Sequence, residues 1–232
     1  MALSAACAHE HGETMKIDAT RVAALAVLLY GAKRYWRNWG TTKDECAMTL
    51  PGDELLREPL VKTTEGVWID LPVEQVWPWV VQLGQDRGGC YTYDTVENAC
   101  GLDHHSADRI HAEWQNLSAG DTVRFAPPGW LGRRDGVTLP VAKVIPQEAI
   151  VLHGSPPAIP WDIVWSIHLM PRWDDRCRLL VRTRVGLRHP AEVVALSLAG
   201  PLHSALTRRM LLGIKHRAER QRDSAVAEAS SS

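Results

Sequence analysis

The pair His104 and Asp108 is the part of this sequence best suited to acid–base chemistry. On a helix, residues at positions i and i+4 share a face, so the imidazole and the carboxylate would face the same space. A His–Asp pair of this kind can serve as a general base. Two alternatives stay open: metal ligation, and satisfied polar side chains near a helix end. A catalytic zinc site needs a third ligand that no motif supplies, so we expect no metal.

Two Asp-Arg dipeptides lie in the same part of the chain, Asp86-Arg87 and Asp108-Arg109. Buried arginine and aspartate are nearly always paired, so one interpretation is a buried ion-pair network that fixes a helix-to-loop connection. The other places Arg87 or Arg109 in a pocket, where a guanidinium would bind a carboxylate or an enolate-like oxygen. The sequence predicts Arg87 as a ligand-binding residue under the second interpretation.

The aromatic composition is unusual, with ten Trp and four Tyr but one Phe. Tryptophan is bulky and carries one N–H group, so this number suggests walls around a pocket as well as core packing. Tyr91 and Tyr93 are two apart and would share a face in an extended segment. We expect them to line a ligand cavity together with Trp114, Trp130 and Trp165.

Composition excludes several classes of protein. The 232 residues are 45% hydrophobic and 23% charged, with a formal net charge of -1. This balance argues against disorder and against a general nucleic-acid binder, which carries a basic surplus. The chain lacks a nucleophile elbow, a P-loop and a dinucleotide fingerprint, so we expect no cofactor. Five widely spaced cysteines without a C-x-x-C pair fit reduced thiols in a cytoplasmic protein.

The N-terminal segment precedes the regular part of the chain. Residues 1–20 are polar and irregular, which predicts disorder. The apolar run 22–32 is too short for a membrane-spanning helix, which needs roughly 20 residues. A basic, aromatic stretch follows, and three interpretations remain: a short helix packed on the domain, a peripheral membrane anchor over residues 22–39, and a cleaved signal peptide. We assign residues 21–60 to this helical segment and a linker.

The remaining elements must position these side chains. Alternating apolar residues at Val67, Ile69 and Leu71 predict a strand, and Pro72 starts a helix that Pro78 divides or kinks. Five further strands are predicted at 123–125, 137–144, 149–153, 163–170 and 177–187. A long amphipathic helix follows from 190 to about 222. The domain therefore spans 61–222, with a disordered tail at 223–232.

The last predicted strand has the clearest pattern. Apolar residues from Cys177 to Val185 alternate with Arg178, Arg182 and Arg184. Period-two alternation predicts a face in the core and an opposite face in solvent. We therefore expect a solvated basic surface on this strand.

This order of elements predicts an α+β fold in which a curved antiparallel sheet wraps around a long C-terminal helix and leaves an internal cavity. It resembles the helix-grip, START-like superfamily, also called SRPBCC, which includes polyketide cyclase/dehydrase-like and lipid-transfer proteins. The resemblance sharpens at Trp77–Asp94 and Ala107–Gln115, followed by Gly120-Asp121. These segments are similar to a bacterial, largely actinobacterial, SRPBCC subfamily. Cys90, where an aromatic residue is usual, departs from that pattern, as does His105-Ser106.

The resemblance implies a ligand cavity, and we expect the protein to bind, and in one version transport, a hydrophobic small molecule such as a lipid or polyketide-like compound. One alternative is a cyclase or dehydratase, with His104 or Asp108 as acid or base and Arg87 or Tyr91 stabilising an oxygen. Another is a membrane-associated regulatory module that uses the N-terminal segment and the basic C-terminal helix.

Overall fold

The computed structural model describes residues 37–93, 98, 101–102, 105–156, 161–186 and 190–230, together with Ala24, Val27 and Gly31. Within them the helices are α1 (Lys43–Ala47), α2 (Val73–Val81) and α3 (Pro190–Ser230). The strands are β1 (Val61–Ile69), β2 (Thr122–Ala126), β3 (Val137–Ile145), β4 (Ala149–Gly154), β5 (Asp162–Pro171) and β6 (Cys177–Gly186). Single 3-10 turns cover Asp53–Leu55, Ala112–Trp114 and Trp130–Gly132.

The six strands form one antiparallel sheet in the order β1-β6-β5-β4-β3-β2. Strands β2 to β6 follow one another through the sheet, and the first strand closes it by pairing with the last. Helix α3 packs against β1 and α2. The α+β helix-grip fold predicted from the order of elements is therefore confirmed.

The inner face of the sheet and α3 enclose the hydrophobic core. Alternate residues of β6, among them Leu179 and Val181, are buried there together with Ile167 of β5. Helix α3 contributes Leu211 and Ile214 to the same cluster. The period of two in the strands and the spacing of apolar residues in the helix thus bury one face of each element.

The outer face of the sheet is also covered, by the segment 37–60, which we call the strap. Arg178, Arg182 and Arg184 are buried, with at most 6% of each residue exposed. The expected solvated basic surface on β6 is therefore wrong. The alternation predicted which residues share a face, but the strap removes that face from water.

Acidic side chains and backbone carbonyls of the strap compensate the three arginines. Arg178 Nε donates to Glu45 Oε1 at 2.7 Å, and Arg182 Nη1 donates to Asp53 Oδ2 at 2.7 Å. Arg184 Nη1 donates to the other oxygen of Asp53 at 3.1 Å. Further guanidinium protons bind strap carbonyls, including those of residues 45, 48 and 56, and Arg182 Nε donates to Thr64 Oγ1 of β1 at 3.1 Å. Buried guanidinium groups require this degree of pairing.

The strap also covers the free edge of β1, the one that faces away from β6. No other strand pairs with this edge within the described residues. Gly66 N donates to the carbonyl of Trp39 at 3.0 Å, and Thr64 N donates to Asn38 Oδ1 at 2.9 Å. The guanidinium of Arg208 on α3 lies 4.5 Å from the centre of the Trp39 ring. Covering an edge strand in this way protects its backbone groups from unwanted pairing.

Two sequence expectations concern the helices. At Pro78 the sequence predicted either a division into two helices or a kink, and the division does not occur, because the proline lies inside a single α2. Helix α3 continues to Ser230, beyond the end predicted near residue 222, so residues 223–230 are not a disordered tail. Alanines 225, 227 and 229 have the highest helix propensity and explain the extension. The predictions for residues 1–20 and for most of 22–39 concern residues outside those that the structure describes.

Candidate functional site

A cavity of about 360 Å³ lies between the sheet and α3. Most of its lining is apolar. Four aromatic side chains contribute: Phe125, Trp130, Trp161 and Trp165. The aliphatic part consists of Leu102, Ala126, Val137, Leu139, Ile163, Leu206 and Met210, and the polar part of Cys90, Thr92, His203 and Thr207.

An irregularity in β2 shapes one wall. The β2–β3 register shifts between Arg124 and Ala126, so Phe125 is the extra residue of a bulge. A bulge bends its strand and redirects a side chain, and here both Phe125 and Ala126 reach the cavity lining. The Phe125 ring meets Trp165 of β5 edge-on, with ring centres 5.3 Å apart. This geometry is a favourable one for aromatic pairs.

The turn that places Trp130 at the cavity needs glycines on both sides. Gly129, immediately before the 3-10 turn that carries Trp130, has a φ of 86°, and Gly136, before β3, has a φ of 71°. A Cβ at Gly136 would collide with the carbonyl of Ala126. Glycine is therefore required for this turn to fold back and place the indole over the cavity.

One face of α3 forms the opposite wall. His203, Leu206, Thr207 and Met210 follow the i, i+3, i+4, i+7 spacing of a single helical face. His203 Nε2 lies 3.1 Å from Thr183 Oγ1 on β6. Burial lowers the pKa of His203 from its ordinary value, which favours the neutral imidazole at pH 7.

Glu65 of β1 lies behind this wall and was not foreseen from the sequence. Its residue is 1% exposed, and burial raises its pKa to about 7, although hydrogen bonds from Ser204 and Thr207 oppose the rise. Its Oε1 atom has no hydrogen-bond partner among the described residues. The signal was available: extending the Val67–Ile69 alternation backwards places Glu65 on the core face.

The structure separates the predicted ligand-binding residues. Trp130 and Trp165 line the cavity. Tyr93 is 51% exposed and lies under the guanidinium of Arg209, and Trp114 is half-buried against the His111 ring, with ring centres 4.2 Å apart. Neither Tyr93 nor Trp114 belongs to the lining, although Thr92, next to Tyr93, does.

Tyr91 and Arg87 hold the loop after α2 in place. Tyr91 is fully buried in the core, where its hydroxyl accepts a hydrogen bond from Gln82 Nε2 at 2.8 Å. Burial raises the pKa of Tyr91, which stays a neutral phenol. Arg87 donates to the carbonyl of Trp114, and burial lowers its pKa. Both were expected in the cavity wall, and neither lies there.

Gln82 is the structural centre of the motif that gave the family resemblance. Its Nε2 also donates to the carbonyl of Arg109 at 3.1 Å, and its Oε1 accepts from His111 N at 3.1 Å. One buried amide therefore joins α2 to two later segments. The sequence indicated the motif but not this role, because the partners lie 27 and 29 residues away.

The expected buried ion-pair network does not form. Asp86 pairs with Arg124 at 3.0 Å on the surface. Asp108 has 76% of its side chain exposed and pairs with Arg220 at 3.3 Å. The side chain of Arg109 is exposed as well. Asp108 therefore lies outside the cavity, contrary to its expected catalytic role, and its predicted partner His104 lies outside the described residues.

The described part of the chain holds neither a cluster suited to a metal ion nor a helix suited to crossing a membrane. There, no three His, Cys, Asp or Glu side chains come close enough together to hold a metal ion. No helix in the same residues combines the length and apolar character of a membrane span.

Comparison with known proteins gave structural likenesses only. No family model matches the chain, and no curated protein matches it. A crystallised protein of Mycobacterium smegmatis is similar at 10% identity and a TM-score of 0.42, over 69% of this chain and 92% of that one. A protein of Staphylococcus saprophyticus is similar at 12% identity and 0.40, over 68% and 92%. One from Mesorhizobium loti follows at 14% and 0.38, over 69% and 98%. At these values the likenesses carry no inference about ligand or reaction.

Proposed function

We propose that this protein binds an apolar small molecule, of lipid or polyketide-like character, in the cavity under α3. The observation that carries the proposal is the lining: a space of about 360 Å³ with four aromatic and seven aliphatic contributors but four polar ones. Small-molecule sites are typically concave, largely apolar and about 300–1,000 Å³ in volume. We place the chain, on its motif and its fold, in the SRPBCC superfamily, near the polyketide cyclase/dehydrase-like proteins.

Removal of apolar surface from water would supply most of the affinity. Rigid indole and phenyl rings offer large contact areas and lose little conformational entropy when a ligand packs against them. The few polar groups would then orient the ligand instead of driving its binding. Carrier or transport activity would follow from reversible binding of this kind.

A catalytic role is the second candidate, and it needs different residues from those expected. Asp86 and Asp108 are paired at the surface, so neither can act as acid or base in the cavity. The titratable groups at the cavity include His203 and Cys90 in its wall and Glu65 behind Thr207. Glu65 lies one side chain away from the cavity, and burial raises its pKa to about 7, as an acid or base of a cyclase- or dehydratase-like reaction would need. The third candidate, a membrane-associated module, depends on residues 22–39.

Native mass spectrometry of the protein after incubation with a lipid extract tests the binding proposal. Leu206 lines the cavity, and Leu202 on the same helix is 65% exposed. We expect wild type to retain a bound apolar species. We expect Leu206→Trp to lose at least about 90% of it, because the indole fills the cavity, and Leu202→Trp to retain it.

The absence of any bound species from wild type would count against the proposal, and so would equal retention by both variants. Equal retention would place the ligand elsewhere on the protein. Circular dichroism of the three proteins verifies that the comparison is made between folded chains.

A further inference from the structure

The polar part of the cavity wall on α3 is connected to a buried acid. His203 and Thr207 lie one helical turn apart in the lining. The carboxyl of Glu65 accepts hydrogen bonds from the hydroxyls of Thr207 and Ser204, and no charged group contributes to its pKa shift. On the neighbouring elements, the His203 ring of the wall lies within hydrogen-bond distance of Thr183 Oγ1, and the guanidinium of Arg208 stacks on the Trp39 ring.

The hydrogen bond to Glu65 determines whether the Thr207 hydroxyl can donate or accept a further hydrogen bond. A hydroxyl has one proton to donate and two lone pairs, whereas an ionised carboxylate only accepts. With a pKa of about 7, Glu65 is largely ionised at pH 8. The proton of Thr207 is then committed to Glu65, and the proton of Ser204 is committed in the same way. Thr207 lines the cavity, and its Oγ1 then has lone pairs left that can accept a hydrogen bond from a ligand but no proton left to donate.

We propose that the ligand carries a hydroxyl group, which donates a hydrogen bond to Oγ1 of Thr207 while its apolar body contacts the tryptophans of the lining. This inference rests on the proposed function and narrows its ligand class to apolar alcohols and phenols. A ketone of the same shape would bring a second acceptor against the Thr207 lone pair, and a hydrocarbon would leave that lone pair desolvated without a partner.

Three probes with one ring frame separate these cases: fluorene, 9-fluorenol and 9-fluorenone. Their dissociation constants are measured at pH 8 by displacement of the fluorescent probe N-phenyl-1-naphthylamine from the full chain. We expect 9-fluorenol to bind about five to ten times more tightly than fluorene, the effect of one hydrogen bond. We expect 9-fluorenone to show no gain over fluorene.

Two variants locate the hydrogen bond. Thr207→Val keeps the shape of the side chain and removes the hydroxyl, so it should abolish the preference for the alcohol, and 9-fluorenol should then bind no more tightly than fluorene. Thr207→Ser keeps the hydroxyl and should retain the preference. The ligand series in wild type decides the chemical class even if Thr207→Val fails to fold.

The outcomes distinguish this inference from the proposed function. If the three probes bind wild type with equal affinity, or if the ketone binds as tightly as the alcohol, the hydroxyl inference is overturned and cavity binding stands. A preference for the alcohol that survives in Thr207→Val also overturns it. If the fluorescent probe and all three ring compounds fail to bind, the proposed function falls, and the inference falls with it.

Discussion

Strand β6 presents two different environments on its two faces. Its outer face carries Arg178, Arg182 and Arg184, each held by acidic side chains or carbonyls of the strap. Its inner face carries Val181 and Thr183 and looks toward α3, where the cavity and the buried Glu65 lie. The outer face is closed by mutual pairing of charges. The inner face leaves a space and a carboxylate oxygen without a partner in the described residues.

The two faces bury their carboxylates in different ways: Glu45 on the outer face has cationic partners, and Glu65 on the inner face has none among the residues that the structure describes. On the outer face, burial alone would raise the pKa of Glu45, but the hydrogen bonds from Arg178 and Thr42 outweigh it and the pKa is lowered. On the inner face, burial raises the pKa of Glu65 because no cation compensates it. Ion pairs fix the strap to the sheet, whereas an acid without a cationic partner beside a cavity can change its protonation state when a ligand binds.

The largest effect is expected from breaking the outer network. Arg182→Met leaves Asp53 and several strap carbonyls without their main donor in a buried site. We expect the free energy of unfolding in urea to fall by about 3–5 kcal/mol. Arg176→Met removes an exposed guanidinium that pairs with Asp70, and should cost less than about 1 kcal/mol. Equal losses for the two variants would show that the strap network does not stabilise the fold.

The two buried glutamates should give opposite pH dependences. Between pH 4.5 and about 7 the folded chain holds a proton on Glu65 that the unfolded chain has lost, so this group lowers stability as the pH rises. Across that window Glu65→Gln should gain about 3 kcal/mol relative to wild type, and the difference should be constant below pH 4.5. Urea unfolding at a series of pH values measures it.

Glu45 is the matched control on the other face. Its lowered pKa means that its stabilising contribution is present above pH 4.5 and is lost as the pH falls through its folded value. Glu45→Gln should therefore be less stable than wild type at pH 7, with a deficit that shrinks in acid. If both variants change in the same direction with pH, the proposed contrast between the two faces is wrong.

The smallest effect is expected at the surface. Asp108→Asn removes an exposed carboxylate that pairs with Arg220 and does not reach the cavity. Stability should change by less than about 0.5 kcal/mol, and displacement of N-phenyl-1-naphthylamine should be unchanged. A large loss of binding in this variant would restore Asp108 to the site and contradict the cavity boundaries described above.

Local patterns sufficed to predict the fold. Period-two alternation located the strands, and Pro72 and the apolar spacing after residue 190 located two of the helices. The same alternation failed at Arg178, Arg182 and Arg184, because it specifies which side chains share a face and not what covers them. The strap that covers them has a single short helix and a single 3-10 turn. Its sequence has no periodic pattern of apolar residues that would predict where it packs.

The site was only partly predictable. Trp130 and Trp165 were expected from the tryptophan content, whereas Tyr91 and Arg87 were expected in the cavity and instead stabilise a loop. Their partners, Gln82 and the carbonyl of Trp114, meet them through contacts that the sequence does not encode locally. Phe125 reaches the lining because of a bulge, which also depends on the neighbouring strand.

A crystal structure of the protein in complex with the species retained from a lipid extract tests the central claim most directly. We predict electron density for an apolar molecule between Trp130, Trp165 and Leu206, with its polar end at Thr207. Density for the retained species on the outer surface, with no ligand under α3, would contradict the claim.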